Sequence, residues 1–171
     1  MTKDLAYYTD KFSSLHTMMK KGKPAPHKAL LLLSVIDLIE RGVIKSSHFT
    51  LSDELIRQFK ANTQRLLGES LLFSPTINYP FYHLRSEGFW ELVASPGSDI
   101  EKISNYSLPS LRKNVAFVRI DTELFKLLQD PSTRARLRVT LISKYLQNQP
   151  TIINKIPTVL LPLALLASFI A

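Results

Sequence analysis

The 171-residue chain contains no cysteine. This absence excludes disulfide bonds, thiolate nucleophiles and cysteine-ligated zinc. The four histidines, at positions 16, 27, 48 and 83, do not have the spacing of metal ligands such as His-x-x-x-His. A Walker glycine loop, a Gly-x-Ser-x-Gly elbow and clustered carboxylates are also absent from the sequence. We therefore expect a binding protein that is not an enzyme and uses no cofactor.

Acidic residues are scarce relative to basic ones: 14 Asp and Glu stand against 22 Lys and Arg, which gives a net charge of +8. The excess lies in two segments, with six Lys against two Asp in residues 1–28 and nine basic against four acidic residues in 100–150. The middle, residues 29–99, holds six basic and eight acidic residues. Two basic segments around a slightly acidic middle suggest one composite surface for an acidic partner, with nucleic acid favoured over a membrane.

The chain shows no secretory signal after Met1, so we expect a cytoplasmic protein. Its length predicts one domain, residues 1–150, followed by an apolar tail, residues 151–171. No charged residue occurs from Ile156 to Ala171, but the run contains two prolines and is shorter than the roughly 17–25 residues of a spanning helix. The apolar tail has three possible explanations: a membrane anchor, a segment packed on the domain, or a truncated or unnatural end. We favour the last two.

Hydrophobic spacing and capping residues predict a mostly helical fold. An amphipathic helix is expected over 4–20 and a third helix from Ser52 or Asp53 to Leu67. Between them, a buried helix opens at Pro26 and ends at Gly42, and its basic N-terminus could attract an anion.

Further along the chain we expect a β-hairpin with strands at 81–84 and 89–93, turning through Gly88, and another strand at 117–120. A short helix to Leu128 and a final helix that opens at Asp130-Pro131 and reaches about Leu146 complete the prediction. The predicted class is α+β, mostly α: a compact helical bundle with a small antiparallel β-hairpin, similar to a winged helix.

Three segments carry a family resemblance: Pro24-Ala25-Pro26-His27-Lys28-Ala29-Leu30-Leu31-Leu32, Tyr79-Pro80-Phe81-Tyr82-His83-Leu84-Arg85-Ser86-Glu87-Gly88-Phe89-Trp90-Glu91-Leu92, and Leu124-Phe125-Lys126-Leu127-Leu128-Gln129-Asp130-Pro131. Together they resemble the N-terminal domain of modification-dependent HNH restriction endonucleases. More closely, they resemble the sulfur-binding domain that recognises phosphorothioated DNA. The resemblance covers roughly residues 5 to 147.

The resemblance implies a reader of double-stranded DNA in which sulfur replaces one non-bridging phosphate oxygen. Tyr79 and Pro80 would form the wall of an apolar sulfur cavity and His27 would lie beside it, while His83 occupies a position where the family is expected to carry a smaller residue. Flanking phosphates would be held by Lys20, Lys21, Lys23, Lys28, Arg85, Arg112 and Lys113. Candidates for base contacts are Asn105, Tyr106, Ser107 and Ser110.

The nuclease half of such endonucleases would begin after about residue 150 and is not found in the sequence. We therefore expect the reader module of a restriction system, whose nuclease was lost or is supplied by a separate subunit. The alternative is a winged-helix-like regulator that binds unmodified or base-modified DNA through the same basic surface.

Overall fold

The computed structural model describes residues 3–68 and 75–147. Within those ranges the α-helices are α1 (Leu5–Ser13), α2 (His27–Glu40), α3 (Asp53–Leu67), α4 (Asn78–His83), α5 (Leu108–Asn114), α6 (Thr122–Gln129) and α7 (Pro131–Tyr145). The strands are β1 (Met19–Lys20), β2 (Lys23–Pro24), β3 (His48–Phe49), β4 (Trp90–Ala94) and β5 (Val115–Ile120), and 3-10 turns cover Leu84–Glu87 and Ile100–Lys102. The predicted class, α+β and mostly α, is confirmed.

Helix α2 is the centre of the fold because it is apolar on nearly every side. It packs against α3, α4, α6 and α7. Its end was predicted correctly: Gly42 has φ +69°, its N–H donates to Ile39 O at 3.0 Å, and Val43 N donates to Leu38 O at 2.8 Å. This is a Schellman cap, in which a left-handed glycine lets the chain leave the helix while the last carbonyls remain hydrogen-bonded.

Helix α1 is shorter than predicted, and the expected helix over 4–20 is wrong after Ser13. The chain turns away because Leu15 N donates to the hydroxyl of Tyr145 at 2.8 Å, on the last helix. A two-residue loop, Lys21-Gly22, then joins β1 to β2 in an antiparallel hairpin. The small hairpin of the fold therefore lies at 19–24.

The β-hairpin predicted at 81–84 and 89–93 is wrong in its first half, where α4 and a 3-10 turn replace the strand. Pro80 stands in the first turn of α4, where its fixed φ and missing N–H are tolerated, and Phe81 N donates to Ile77 O at 3.0 Å. The second half is a strand, β4, but its partner is β5. The winged-helix similarity is not confirmed.

The strands β3, β5 and β4 form an antiparallel sheet in that order, with the predicted strand at 117–120 in the middle as part of β5. The predicted starts of α3 and α7 are confirmed by their caps. Ser52 Oγ accepts from Leu55 N at 3.2 Å, and Asp130 Oδ1 accepts from Thr133 N at 2.9 Å. The predicted boundary at 150 and the apolar tail lie outside the described residues.

Candidate nucleic-acid interface

The basic hairpin, residues 18–25, presents two different faces. Its central residues, Lys21 at φ +51° and Gly22 at φ +72°, have the two positive φ values of a type I′ turn, which suits the twist of a tight antiparallel hairpin. Lys20 lies opposite Lys23 and Met19 opposite Pro24. Because opposite residues share a face and consecutive residues alternate, the two lysines lie on one face and Met19 with Pro24 on the other.

Helix α4 presents a mixed aromatic surface. Phe81 and Tyr82 are buried, and Phe81 O accepts from Trp90 Nε1 at 3.1 Å. Tyr79 and His83 are four residues apart, so they lie on one side of the helix, and both are exposed. The helix is therefore anchored by one side and offers a tyrosine and a histidine on the other.

A cavity of about 530 Å³ lies between the basic hairpin, the start of α2 and α4. Most of its surface is apolar and includes Met18, Ala25, Tyr79 and Pro80, and polar and basic groups lie between them. The full lining is His16, Thr17, Met18, Lys20, Ala25, His27, Lys28, Tyr79, Pro80, His83 and Ser86. Two segments distant in sequence, residues 16–28 and 79–86, thus build one recess, with apolar walls beside cationic groups.

A buried ion pair joins the start of α2 to the 3-10 turn that follows α4. Lys28 is 8% exposed, and its ammonium donates to Glu87 Oε1 and to Ser86 Oγ, the latter at 3.3 Å. Glu87 is 3% exposed and also accepts from His16 N at 3.1 Å, while its Oε2 lies 3.1 Å from His16 Nδ1. The carboxylate therefore compensates the Lys28 charge and ties the segment before β1 to the start of α2.

Tyr106 extends the aromatic surface beside the cavity. Its ring centroid lies 6.0 Å from Tyr79, 4.4 Å from Tyr82 and 5.4 Å from His83. The guanidinium carbon of Arg85 lies 4.5 Å from the ring centroid of Tyr82, in cation–π geometry. The segment after the 3-10 turn Ile100–Lys102 is thus brought next to the cavity by ring contacts with α4.

Burial changes the titration of both cavity histidines. It lowers the pKa of His27 below the ordinary value. For His83, burial is again the main cause of a lowered pKa, and the nearby cations Lys28 and Arg85 lower it further. Desolvation and like charge both disfavour the imidazolium, so at neutral pH the two rings line the cavity as neutral groups.

The cavity gathers all four residues expected to form its wall, His27, Tyr79, Pro80 and His83. Two of the expected phosphate contacts, Lys20 and Lys28, line it as well. Lys21 occupies the exposed tip of the basic hairpin, and Lys23 lies opposite Lys20.

The remaining basic candidates lie elsewhere on the surface. Arg85 forms an ion pair with Glu101, Arg112 forms one with Asp53 and also donates to Leu51 O at 3.1 Å, and Lys113 is exposed on α5. These positions belong to the 3-10 turn after α4 and to α5.

Among the candidates for base contacts, Tyr106 packs its ring against the cavity residues Tyr79 and His83. Asn105 Oδ1 accepts from Ser107 N at 2.9 Å, and Ser107 Oγ accepts from Ser110 N at 3.4 Å as the N-cap of α5. The polar side chains of Asn105 and Ser107 thus shape the turn that opens this helix.

Sequence reasoning missed His16, Met18 and Glu87. The first two were assigned to a helix that ends at Ser13, so their position beside the cavity was hidden. The predicted hairpin places Glu87 in its turn, yet the carboxylate is buried against Lys28. The available signal was an acidic residue close to the aromatic residues Phe89 and Trp90, because a carboxylate that becomes buried is nearly always paired.

Two other cavities have different linings. One of about 590 Å³ lies at the sheet edge around Trp90 and Asp121, and one of about 600 Å³ lies between α1 and Arg136. Within 3–68 and 75–147, no group of three or more His, Asp or Glu could hold a metal ion. Over the same ranges, no helix is both long and apolar enough to cross a bilayer.

Comparison with known proteins bears on this cavity. No curated protein matches the chain significantly. The sequence profile of the ScoMcrA-like DNA sulfur-binding domain matches residues 6–156, which include every segment that lines the cavity. With most of its length matched, the chain belongs to the family of ScoMcrA-like DNA sulfur-binding domains.

Proposed function

We propose that the chain reads phosphorothioated double-stranded DNA and holds the sulfur atom in the cavity of about 530 Å³. The observation that carries the proposal is the convergence of His27, Tyr79 and Pro80 with Lys20 in one recess. Membership of the sulfur-binding family supports DNA carrying backbone sulfur as the ligand class.

The chemistry of the walls suits sulfur better than oxygen. Sulfur is larger and more polarisable than oxygen and accepts hydrogen bonds poorly, so a tyrosine ring face and proline CH groups can contact it at little desolvation cost. An ordinary phosphate oxygen in the same place would lose water without gaining strong donors. Neutral His27 and a Lys28 already compensated by Glu87 keep the recess from becoming a general anion trap. Discrimination then arises from a penalty on the unmodified backbone.

Affinity comes from the phosphates on either side. Lys20, Lys21 and Lys23 concentrate three positive charges within four residues beside the cavity. Arg85 and Arg112 are further candidates, because their ion pairs with the exposed Glu101 and Asp53 lie at the surface, where solvent weakens such pairs and a phosphate can compete. Lys113 would add one more contact. These contacts give salt-dependent affinity and no sequence information.

Base contacts are assigned to the segment that follows the Ile100–Lys102 turn. Tyr106 is best placed, since its ring adjoins Tyr79 and His83. Asn105, Ser107 and Ser110 flank it at the start of α5. We propose that this segment faces the groove next to the modified phosphate.

We further propose that the reader serves a cytoplasmic restriction system and that its nuclease was lost or is supplied by a separate subunit. The described residues offer no cluster that could hold a catalytic metal. Incubating the pure protein with phosphorothioated duplex and a divalent metal is expected to leave the DNA intact, and cleavage would overturn this part of the proposal.

The test of sulfur reading is equilibrium binding of one short duplex with no sulfur or with a single phosphorothioate of either stereochemistry, at fixed salt. We expect one stereoisomer to bind more tightly than the unmodified duplex. Tyr79→Ala should lower that preference about 10- to 100-fold, because an aromatic contact of this kind contributes roughly 1.5–3 kcal/mol. Tyr79→Phe should retain it, since the ring remains.

Val139→Ala is the matched control, because Val139 is 59% exposed on α7 and does not line the cavity. Equal, salt-sensitive binding of all three duplexes would contradict sulfur reading and support the regulator of unmodified or base-modified DNA instead. That alternative has lost its predicted wing, because 81–84 is helical.

A further inference from the structure

Met18 combines a fixed backbone with an exposed side chain. Its carbonyl accepts from Ala25 N at 2.7 Å, which continues the pairing of the basic hairpin. The residue is nevertheless 81% exposed, the highest value among the large apolar residues of the described chain. Tyr79, another of these exposed residues, lines the same cavity. An apolar side chain held at the mouth of an apolar recess gains free energy only when something covers it.

The register of the basic hairpin decides which methionine faces the cavity. Met18 and Lys20 both line it, while Met19, between them in sequence, does not. Alternation along a strand accounts for this difference. Met19 is 64% exposed on the opposite face, beside Pro24. The chain thus carries two neighbouring exposed methionines, of which one is directed to the cavity.

A thioether is suited to a soft, shape-variable contact. Methionine is unbranched, rotates about three side-chain bonds and carries a polarisable sulfur. It has no strong hydrogen-bonding group to offer a phosphate oxygen. A phosphorothioate sulfur needs no such group and gains from dispersion contacts. Met18 can therefore favour sulfur over oxygen without attracting phosphate.

We propose that Met18 is a specificity-determining residue whose side chain closes over the phosphorothioate sulfur held against Tyr79 and Pro80. The inference rests on the proposed function and adds a wall from the basic hairpin to the two from α4. Lys20, on the same hairpin face, holds the neighbouring phosphate, so one strand supplies both selectivity and affinity.

The experiment measures the ratio of affinities for the preferred phosphorothioate duplex and the unmodified duplex, at several salt concentrations. Met18→Ala should lower this ratio about tenfold, the lower end of what burial of a methionine side chain contributes. Binding to unmodified duplex and its salt dependence should not change, since no phosphate contact is lost. Met18→Leu, which restores apolar volume, should recover most of the ratio.

Met19→Ala is the matched control, because the same residue type is removed from the other hairpin face. It should leave the ratio within about threefold of wild type. If Met18→Ala retains the wild-type ratio, or Met19→Ala lowers it equally, the inference is wrong while sulfur reading stands. A wild-type chain with no preference overturns the proposed function, and this inference falls with it.

Discussion

The two ends of α2 both carry ion pairs, but only one end frames open space. At the C-terminal end, Asp37 and Glu40 accept from Arg138 of α7, and Asp37 also accepts from Asn62 of α3 at 2.8 Å. That cluster draws three helices together. At the N-terminal end, Lys28 pairs with Glu87, and the cavity lies beside the pair. Ion pairs therefore join three helices at one end of α2, and at the other end an ion pair lies beside an open cavity.

The difference arises from the partners that chain topology supplies. The C-terminal carboxylates meet arginines on a long neighbouring helix, whose side chains reach α2 side by side. The N-terminal lysine meets a carboxylate on a 3-10 turn, and the basic hairpin beside it is too short to cover the space. The cavity therefore lies where the central helix α2 begins, because the elements around that end are short.

Removal of the buried carboxylate at the N-terminal end of α2 should have the largest effect on stability. Glu87→Gln leaves the Lys28 ammonium buried without a compensating charge and should lower the free energy of unfolding by about 3–5 kcal/mol. Urea denaturation measures the loss. The double variant Lys28→Met/Glu87→Leu should recover most of it, because neither group is then charged. A loss below about 1 kcal/mol in the single variant would show that water already solvates the pair.

At the C-terminal end, Arg138→Ala should have a smaller effect. Arg138 is partly exposed, so solvent reaches the two carboxylates when it is removed. We expect a loss of about 1.5–3 kcal/mol, typical of hydrogen bonds to charged groups. Duplex binding should be unchanged, because this end does not line the cavity. Weakened DNA binding in Arg138→Ala at full folding would contradict the division between the two ends.

Local chemistry explains which elements the sequence predicted. The starts of α3 and α7 and the end of α2 depend on a serine, an Asp-Pro pair and a glycine that act on neighbouring backbone groups. Such signals operate within a few residues, so they can be read before the fold is known.

The errors occur where contacts distant in sequence decide the structure. Helix α1 stops because Leu15 meets Tyr145, 130 residues away. The aromatic run at 81–84 has strand propensity, but it is held as a helix because α4 packs on α2 and the Tyr82 hydroxyl donates to Ile100 O at 3.0 Å. Propensity is overridden by such tertiary contacts.

The residues of the candidate site likewise fall into those that the sequence predicted and those that it did not. Tyr79, Pro80, His27 and His83 were named from a family resemblance, and they meet in one cavity. Met18 belongs to the segment whose helix prediction failed, so its place beside the cavity could not be anticipated.

Two glycines with similar backbone angles lie near opposite ends of α2. Gly22, in the basic hairpin, and Gly42, after the C-terminal end of α2, have φ values of +72° and +69°, and an added Cβ would meet nothing within 4 Å at either. Alanine at each should lower the free energy of unfolding by about 1–2 kcal/mol, through left-handed strain alone. Duplex binding should weaken only in Gly22→Ala, because that turn carries the lysines. Equal binding losses in both variants would contradict a role for the hairpin.

The smallest effect that we expect is a dependence of the free energy of unfolding on pH, which arises at the N-terminal end of α2. Burial lowers the pKa of His27 in the folded chain, whereas the unfolded chain titrates near 6.5. The unfolded state therefore binds more protons below about pH 6.5, so the His27 contribution to stability is complete above that pH and is lost as the pH falls toward the folded pKa. His83 also has a lowered pKa and its contribution to stability is lost over the same pH range, whereas Asp53 and Asp130 have lowered pKa values and act only below about pH 4. Urea denaturation measures the free energy of unfolding at pH 7 and at pH 5.5. Its decrease between the two should be smaller in His27→Gln than in wild type, and an equal decrease would show that another group causes the acid sensitivity.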